Sequence, residues 1–156
     1  MDRDEARLSL TGGCQCGAVR YRIEAAPTSA NICHCRMCQK AGAAPFMAFA
    51  GIPLGGLAWT RGAPKVFVSS AIAERGFCAD CGTPLTYRRL QGDHISVTIC
   101  SLDEPSAIAP EGQLGVETKV DWLDGALALP AVSVADWLVQ KRIATVGNRQ
   151  HPDHET

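Results

Sequence analysis

The sequence has no long apolar run, few aromatic residues and almost no net charge, and each absence excludes a class of protein. A helix that crosses a bilayer needs about 20 consecutive apolar residues, and no segment has them. Residues 1–7 are mostly charged and lack the apolar core of a signal peptide. We therefore expect a soluble, cytoplasmic protein with no membrane partner. The formal net charge of -1 leaves no overall positive field for binding nucleic acid.

Long uninterrupted elements and internal repeats are also missing. The 15 glycines and 9 prolines divide the 156 residues into short segments. Several of these segments alternate apolar with polar residues or are rich in β-branched side chains. These segments predict strands at 18–24, 46–50, 65–69 and 94–99. We expect one mainly β domain of antiparallel strands, in which clusters of cysteine lie on the turns that join the strands.

One segment near the C-terminus has a helical pattern instead. Ser133 and Asp136 are spaced as a helix N-cap and its partner, and Val134, Trp137 and Leu138 recur at helical spacing. We predict a short amphipathic helix there, packed on the sheet through its apolar stripe. The polar residues after Asn148 are predicted to form a disordered tail.

Cysteine, in contrast, is abundant. Seven of the eight cysteines form three clusters: Cys14 and Cys16; Cys33, Cys35 and Cys38; Cys78 and Cys81. In a reducing compartment, clustered thiols are more often metal ligands than disulfides. A tetrahedral zinc ion takes four ligands, so two pairs close one site while the triple leaves one position open. The spacing favours this partition over other pairings. Cys100, which is isolated, is expected to be a buried small apolar residue.

A glycine follows each of the two cysteine pairs. Gly82 comes directly after Cys81, and Gly17 comes directly after Cys16. A residue free to adopt positive φ lets the chain turn back and aim backbone N–H groups at the sulfurs. We therefore predict that the two pairs form one closed, structural site.

The cluster of Cys33, Cys35 and Cys38, which leaves one ligand position open, suits a different chemistry. A zinc ion held by three thiolates activates water poorly, but it can bind a fourth sulfur and hold it as a thiolate. This predicts a small-molecule thiol partner whose sulfur attacks a carbonyl carbon or departs from carbon. The alternative is a structural site whose fourth ligand is His34, Cys100 or a distant carboxylate. A redox dithiol at Cys35 and Cys38 is a further alternative, which the adjoining Cys33 disfavours.

Three polar residues accompany the triple. His34 lies between two of its cysteines and is interpreted as an exposed spacer, although a hydrogen-bonding or base role stays open. Arg36 and Lys40 place positive charge beside it, either to offset the thiolates or to hold a carboxylate of the ligand.

These segments together resemble the glutathione-dependent formaldehyde-activating enzyme family (GFA). The resemblance covers residues 11–130 and rests on GGCQCGAVRY at 12–21, CHCRMCQK at 33–40, FCADCGTPL at 77–85 and SLDEP at 101–105. It implies an Mss4-like (β-tent) fold, two zinc ions per chain, and a carbon–sulfur lyase that interconverts glutathione and formaldehyde with S-hydroxymethylglutathione.

The resemblance also assigns the cysteines. It implies a structural zinc at Cys14, Cys16, Cys78 and Cys81 and a catalytic zinc at Cys33, Cys35 and Cys38, in a domain over residues 8–132. The helix and tail then occupy residues 133–156. Two features depart from the family pattern: Gln113 stands where many relatives have His, and the 122–130 stretch is longer than usual. A non-enzymatic zinc module for protein interaction is the alternative function.

Overall fold

The computed structural model describes residues 10–155, and within this part of the chain no helix is long and apolar enough to cross a membrane. The described residues form ten strands, three α-helices and three short 3-10 helices. The strands are β1 Leu10–Gly13, β2 Arg20–Ile23, β3 Ser29–Cys33, β4 Met47–Pro53, β5 Leu57–Arg61, β6 Lys65–Ser70, β7 Ala73–Phe77, β8 Pro84–Arg89, β9 His94–Thr98 and β10 Gly112–Leu114. The α-helices are α1 Arg36–Gly42, α2 Leu123–Ala126 and α3 Val134–Lys141.

The strands form two sheets. The smaller has the order β1-β2-β5, and the larger has the order β10-β3-β4-β9-β8-β7-β6. Neighbouring strands are antiparallel, except that β10 lies parallel to β3. The predicted mainly β, antiparallel fold class with a short C-terminal helix is confirmed, and the four predicted strands correspond to β2, β4, β6 and β9.

The main core joins the two sheets. Tyr21 and Ile23 of the smaller sheet are fully buried in one apolar cluster with Ile52, Leu85 and Val97 of the larger. Each such aliphatic side chain contributes roughly 1.5–3 kcal/mol by leaving water. The Tyr21 hydroxyl is hydrogen-bonded to the Ser101 hydroxyl at 2.7 Å, so its burial leaves no unpaired polar group.

Helix α3 begins as predicted but does not pack as predicted. The Ser133 hydroxyl accepts a hydrogen bond from the Asp136 N–H at 3.1 Å, which caps the first turn. Its apolar residues are not buried: Val134 is 68% exposed and Val139 is 77% exposed. The expectation that its stripe covers the sheet is therefore wrong. The two sheets already bury the core against each other, and the segment at 130–133 that precedes α3 is exposed.

The polar tail, for which the sequence predicts disorder, lies against the first hairpin. The His151 N–H donates to the Gln15 carbonyl at 2.7 Å, and Arg20 Nη2 donates to the His154 carbonyl at 2.9 Å. Glu155 forms an ion pair with Arg22 at 3.0 Å. These contacts run counter to the expected disorder, because groups on the hairpin bind both the backbone and an acidic side chain of the tail. The domain division into 8–132 and 133–156 stays a prediction, and its residues 8, 9 and 156 lie outside the described residues.

Candidate metal centres

The first cysteine cluster joins two turns that are far apart in sequence. Cys14 and Cys16 follow β1, whereas Cys78 and Cys81 follow β7. The four Sγ atoms lie within 4.8 Å of one another, with 3.6 Å from Cys14 to Cys16 and 3.8 Å from Cys16 to Cys78. A tetrahedral zinc ion with Zn–S bonds of about 2.3 Å places its sulfurs about 3.8 Å apart. The cluster therefore fits one such ion, and the structure brings together the two pairs that the sequence groups.

Each of the two turns ends in a glycine with a left-handed backbone conformation. Gly17 and Gly82 both have φ of 79°, which confirms the positive φ predicted at Gly82. The Gly17 N–H donates to the Cys14 carbonyl at 3.1 Å, and the Gly82 N–H donates to the Cys78 carbonyl at 2.9 Å. Each turn thus presents its two sulfurs on the same side, and a glycine accepts the left-handed conformation without steric cost.

The thiols of this cluster differ in acidity. Burial acts to raise the pKa of Cys81, but hydrogen bonds from the Thr83 hydroxyl and from the backbone N–H groups of Thr83 and Cys16 outweigh it and lower the pKa to about 6. Burial raises the pKa of Cys78. The Cys81 sulfur is therefore favoured as a thiolate at neutral pH, whereas Cys78 would release its proton when a metal ion binds.

The second cluster is built around the start of α1. Cys33 is the last residue of β3, Cys35 is the N-cap of α1, and Cys38 lies in its first turn. Cys35 Sγ accepts a hydrogen bond from the Cys38 N–H at 3.4 Å, and the three Sγ atoms lie within 4.8 Å of one another. The sequence predicts only a turn here. The helix-forming residues of α1 are a signal for it, but its cap is a cysteine instead of the usual Ser, Thr, Asp or Asn.

Burial and hydrogen bonds act in opposite directions on two of these thiols. Burial raises the pKa of Cys33 to about 12. Burial also acts to raise the pKa of Cys35, but the Cys38 N–H, the sulfurs of Cys33 and Cys38, and the Met37 N–H together lower it below its usual value. The Cys35 thiol is therefore more readily ionised than the Cys33 thiol.

A buried arginine from β7 neutralises the cluster. Arg75 is 9% exposed, its Nη2 lies 3.4 Å from Cys38 Sγ, and its guanidinium lies 5.1 Å from the centre of the Tyr87 ring. The sequence points instead to Arg36, whose Nη1 donates to the Gln39 Oε1 at 2.6 Å. Sequence reasoning missed Arg75, because no local pattern shows that β7 packs beside α1.

His34 anchors the cysteine loop to β10. Its Nε2 donates to the Gln113 Oε1 at 2.8 Å, and its backbone N–H donates to the Leu114 carbonyl at 2.8 Å. Its own carbonyl accepts from Gln39 Nε2 at 2.8 Å and from the Thr118 hydroxyl at 3.1 Å. His34 is only 2% exposed, so its interpretation as an exposed spacer is wrong. Gln113, the departure from the family pattern, contacts the loop through His34.

The three-cysteine cluster opens on one side to a cavity of about 310 Å³. Asn31, Tyr87 and Ser96 line this cavity together with the three cysteines and Arg75. Among residues 10–155, no His, Asp, Glu or further Cys joins the three sulfurs within ligand distance. The cluster can therefore hold a metal ion that keeps a position free for a ligand from the cavity.

Cys100 lies outside both clusters. It is exposed, in the turn Ile99–Ser101 that follows β9, and the expectation that it is buried is wrong. Ile99 and Ser101, on either side of it, take the inward positions of that turn and are both buried. All eight cysteines are free thiols.

Comparison with known proteins gives three findings. Residues 9–117 match the family model described as glutathione-dependent formaldehyde-activating enzyme. An uncharacterized lyase of Schizosaccharomyces pombe is 32% identical over 81 residues, which cover 52% of this chain and 58% of the relative, so the chain spans little more than half of that protein. The crystal structure of a Rhodobacter sphaeroides protein has a TM-score of 0.55 at 23% identity, covers 66% of this chain and 98% of that chain, and shows a shared fold.

Proposed function

This chain belongs to the glutathione-dependent formaldehyde-activating enzyme family, and on that premise we propose that it is a zinc-dependent carbon–sulfur lyase. The proposed reaction is the reversible addition of glutathione to formaldehyde, or the equivalent reaction of a related thiol adduct. One observation carries the proposal. A cluster of three cysteines opens to a cavity of about 310 Å³, whereas the other cluster has a full set of four sulfurs.

The two clusters have different proposed roles. Cys14, Cys16, Cys78 and Cys81 would hold a structural zinc ion, because their four sulfurs complete a tetrahedral site. Cys33, Cys35 and Cys38 would hold the catalytic one, and a sulfur-only ligand set is typical of zinc among the common cellular metals. The zinc ion there would bind the substrate sulfur and keep it as a thiolate at neutral pH. A cytoplasmic location and glutathione as the partner are parts of this proposal.

The chain's own residues would hold and orient the reactants. In the forward direction a carbon–sulfur bond forms, the carbonyl double bond becomes a single bond, and the oxygen takes up the proton that the thiol gives up. The side chains of Asn31, Ser96 and Tyr87 line the cavity and provide hydrogen-bond donors for the negative charge that develops on that oxygen. The buried Arg75 guanidinium offsets the charge of the three thiolates through Cys38.

A pair of cysteine variants tests the proposal. We expect Cys35→Ser to lower the zinc content from two ions per chain to one and to abolish enzyme-dependent exchange between formaldehyde and glutathione, measured by exchange-spectroscopy NMR. The melting temperature should change little, because the four-cysteine site stays intact. Cys81→Ser should instead lower the melting temperature strongly, since it removes a ligand that ties two distant turns together.

Equal exchange rates for the wild type and Cys35→Ser would remove the formaldehyde assignment. The exposed apolar residues Trp122, Trp137 and Val139 favour the alternative, a non-enzymatic zinc module that binds another protein. That alternative predicts a lower melting temperature for Cys35→Ser and no change in any rate. The two functions are therefore separated by the same pair of variants.

A further inference from the structure

The last strand of the larger sheet has an uncovered edge. Strand β6 ends the order β10-β3-β4-β9-β8-β7-β6 and pairs with β7 on its inner side. Among residues 10–155, β7 is the only strand that pairs with β6. The outer side of an edge strand has a row of N–H and C=O groups that another strand can bind.

The side chains of this edge are apolar and exposed. Val66, Phe67 and Val68 are each more than half exposed. Soluble proteins usually interrupt or cover such an edge, because it pairs readily with another chain. The interruptions in β6 lie outside these three residues: Lys65 precedes them, and a bulge follows between Val68 and Ser70. The stretch Val66–Val68 is therefore available for pairing.

This stretch reads the same in both directions. Val66 and Val68 flank Phe67, so two antiparallel copies with Phe67 opposite Phe67 make the same contacts on each side of a twofold axis. Residues directly opposite each other in an antiparallel pair share a face of the sheet. Phe67 then meets Phe67 on one face, and Val66 meets Val68 twice on the other. Aromatic and β-branched pairs of this kind stabilise a sheet.

The charge of the strand favours the same arrangement. In the pair centred on Phe67, each Lys65 lies beside the bulge at Ser69 of the other copy, and the two ammonium groups are at opposite ends. A parallel pair in register would set Lys65 against Lys65, and like charges directly opposite destabilise a sheet. An antiparallel pair shifted by two residues would set Lys65 against Phe67. The position of Lys65 therefore selects one orientation and one register.

We propose that β6 is a dimer interface, through which two copies of this chain join their larger sheets by antiparallel pairing centred on Phe67. The pairing occupies the β6 edge of both copies, so no third copy can add there. Because the contact is small, the dimer should dissociate on dilution. The interface goes beyond the proposed function, since it includes no cysteine of either cluster.

Sedimentation velocity of the zinc-loaded protein at increasing concentration tests the interface. We expect the wild type to shift from the mass of one chain toward that of two. Phe67→Lys and Phe67→Glu should each weaken the dimer about tenfold, because each removes an aromatic pair and sets like charges opposite each other. An equimolar mixture of these two variants should form a dimer about fivefold tighter than either variant alone, since opposite charges then face each other across the axis.

Two further measurements locate the contact. Val139→Lys on α3 is the matched control, because Val139 is also an exposed apolar residue, and it should dimerise as the wild type does. Amide hydrogen exchange in a peptide that covers residues 65–70 reports on the backbone. Exchange there should slow as the wild type is concentrated, whereas it should not change with the concentration of Phe67→Lys.

Several results would overturn the proposal. A wild type that stays monomeric up to its solubility limit would remove the dimer. Loss of the dimer in Val139→Lys and not in Phe67→Lys would place the contact on α3. A mixture of Phe67→Lys and Phe67→Glu that recovers nothing would exclude a twofold axis at Phe67, and unchanged exchange at 65–70 would exclude strand pairing. None of these measurements depends on formaldehyde exchange, so the interface and the lyase assignment can fail separately.

Discussion

Asp103 joins the first hairpin to the segment that follows β9. Its Oδ1 accepts from Arg20 Nη1 at 2.8 Å, and its Oδ2 accepts from the Thr11 hydroxyl at 2.6 Å. The side chains of Arg20 and Asp103 are only 4% and 11% exposed. Burial acts to raise the pKa of Asp103, but the hydrogen bonds from Arg20 and Thr11 outweigh it and hold the pKa below its usual value. This ion pair is therefore a pH-dependent part of the protein's stability.

We expect Asp103→Asn to lower the free energy of unfolding at pH 7 by roughly 2–4 kcal/mol, because it leaves the Arg20 charge buried without its partner. The native pKa of Asp103 is lower than that of the unfolded chain, so the contribution is complete above the unfolded value of about 4 and is lost as pH falls through the native value. Denaturant unfolding from pH 7 to pH 3 should show the two proteins converging in acid.

The exposed pair of Lys119 and Asp124 provides the control for that measurement. Asp124 is 77% exposed in this pair, so Asp124→Asn should change stability by less than about 1 kcal/mol at either pH. A deficit of Asp103→Asn that stays the same at pH 3 would show that the role of Asp103 does not depend on its charge.

Residues of the candidate site differ in how far the sequence could predict them. The grouping of Cys14 and Cys16 with the other pair follows from ligand number, which is a local and chemical constraint. Arg75 could not be predicted, because its role depends on which strand lies beside α1. In the sequence, Gln113 is notable only because many members of the family have His at this position. Its hydrogen bond with His34 becomes visible only in the fold.

Among the elements, the two cysteine turns both end in a glycine with positive φ, but the surroundings of the two glycines differ. A Cβ built at Gly82 meets nothing within 4 Å, whereas a Cβ built at Gly17 would clash with the ring of His151. Both turns need positive φ, but only the first turn is covered by the tail. Replacing each glycine by alanine should therefore lower the free energy of unfolding by different amounts.

We expect Gly82→Ala to lower the free energy of unfolding by about 1–2 kcal/mol, the cost of a left-handed conformation for a residue with a Cβ. Gly17→Ala should cost more, because it also displaces the His151 ring. Thermal unfolding of the zinc-loaded proteins measures both changes. Equal losses would show that the tail does not cover the first turn in solution.

Elements with a local pattern could be predicted and elements defined by distant pairing could not. The alternating residues of β2 and β9 and the cap of α3 are visible in the sequence because they reflect local geometry. Strand β10 has only three residues, and its parallel pairing with β3 joins segments that no local pattern connects. The exposed position of α3 also depends on the whole fold, since it follows from a core that the two sheets already close.

At the scale of the whole molecule, the C-terminal tail returns to the first hairpin. His151, His154 and Glu155 contact Gln15, Arg20 and Arg22 through hydrogen bonds or an ion pair. The tail thereby covers the turn that holds Cys14 and Cys16, although it supplies no ligand to that cluster. The first and last parts of the described chain are therefore coupled at the four-cysteine site.

A chain that ends at residue 148 tests this coupling. It should lose only a little stability, because the missing contacts are mostly at the surface, but the extra cost of Gly17→Ala over Gly82→Ala should disappear. The measurement is a double-mutant cycle of melting temperatures with and without the tail. A difference between the two glycine variants that persists in the shorter chain would locate its cause within the hairpin.

The parallel pairing of β10 with β3 also has a consequence for the order in which the protein assembles during translation. His34 and its partner Gln113 are 79 residues apart, so the ribosome releases the three-cysteine loop long before the strand that anchors it. The four-cysteine cluster needs nothing beyond Cys81 to be complete. Because contacts form only between segments that have emerged, we expect the four sulfurs of that cluster to be available on the nascent chain before β10 can anchor the three-cysteine loop.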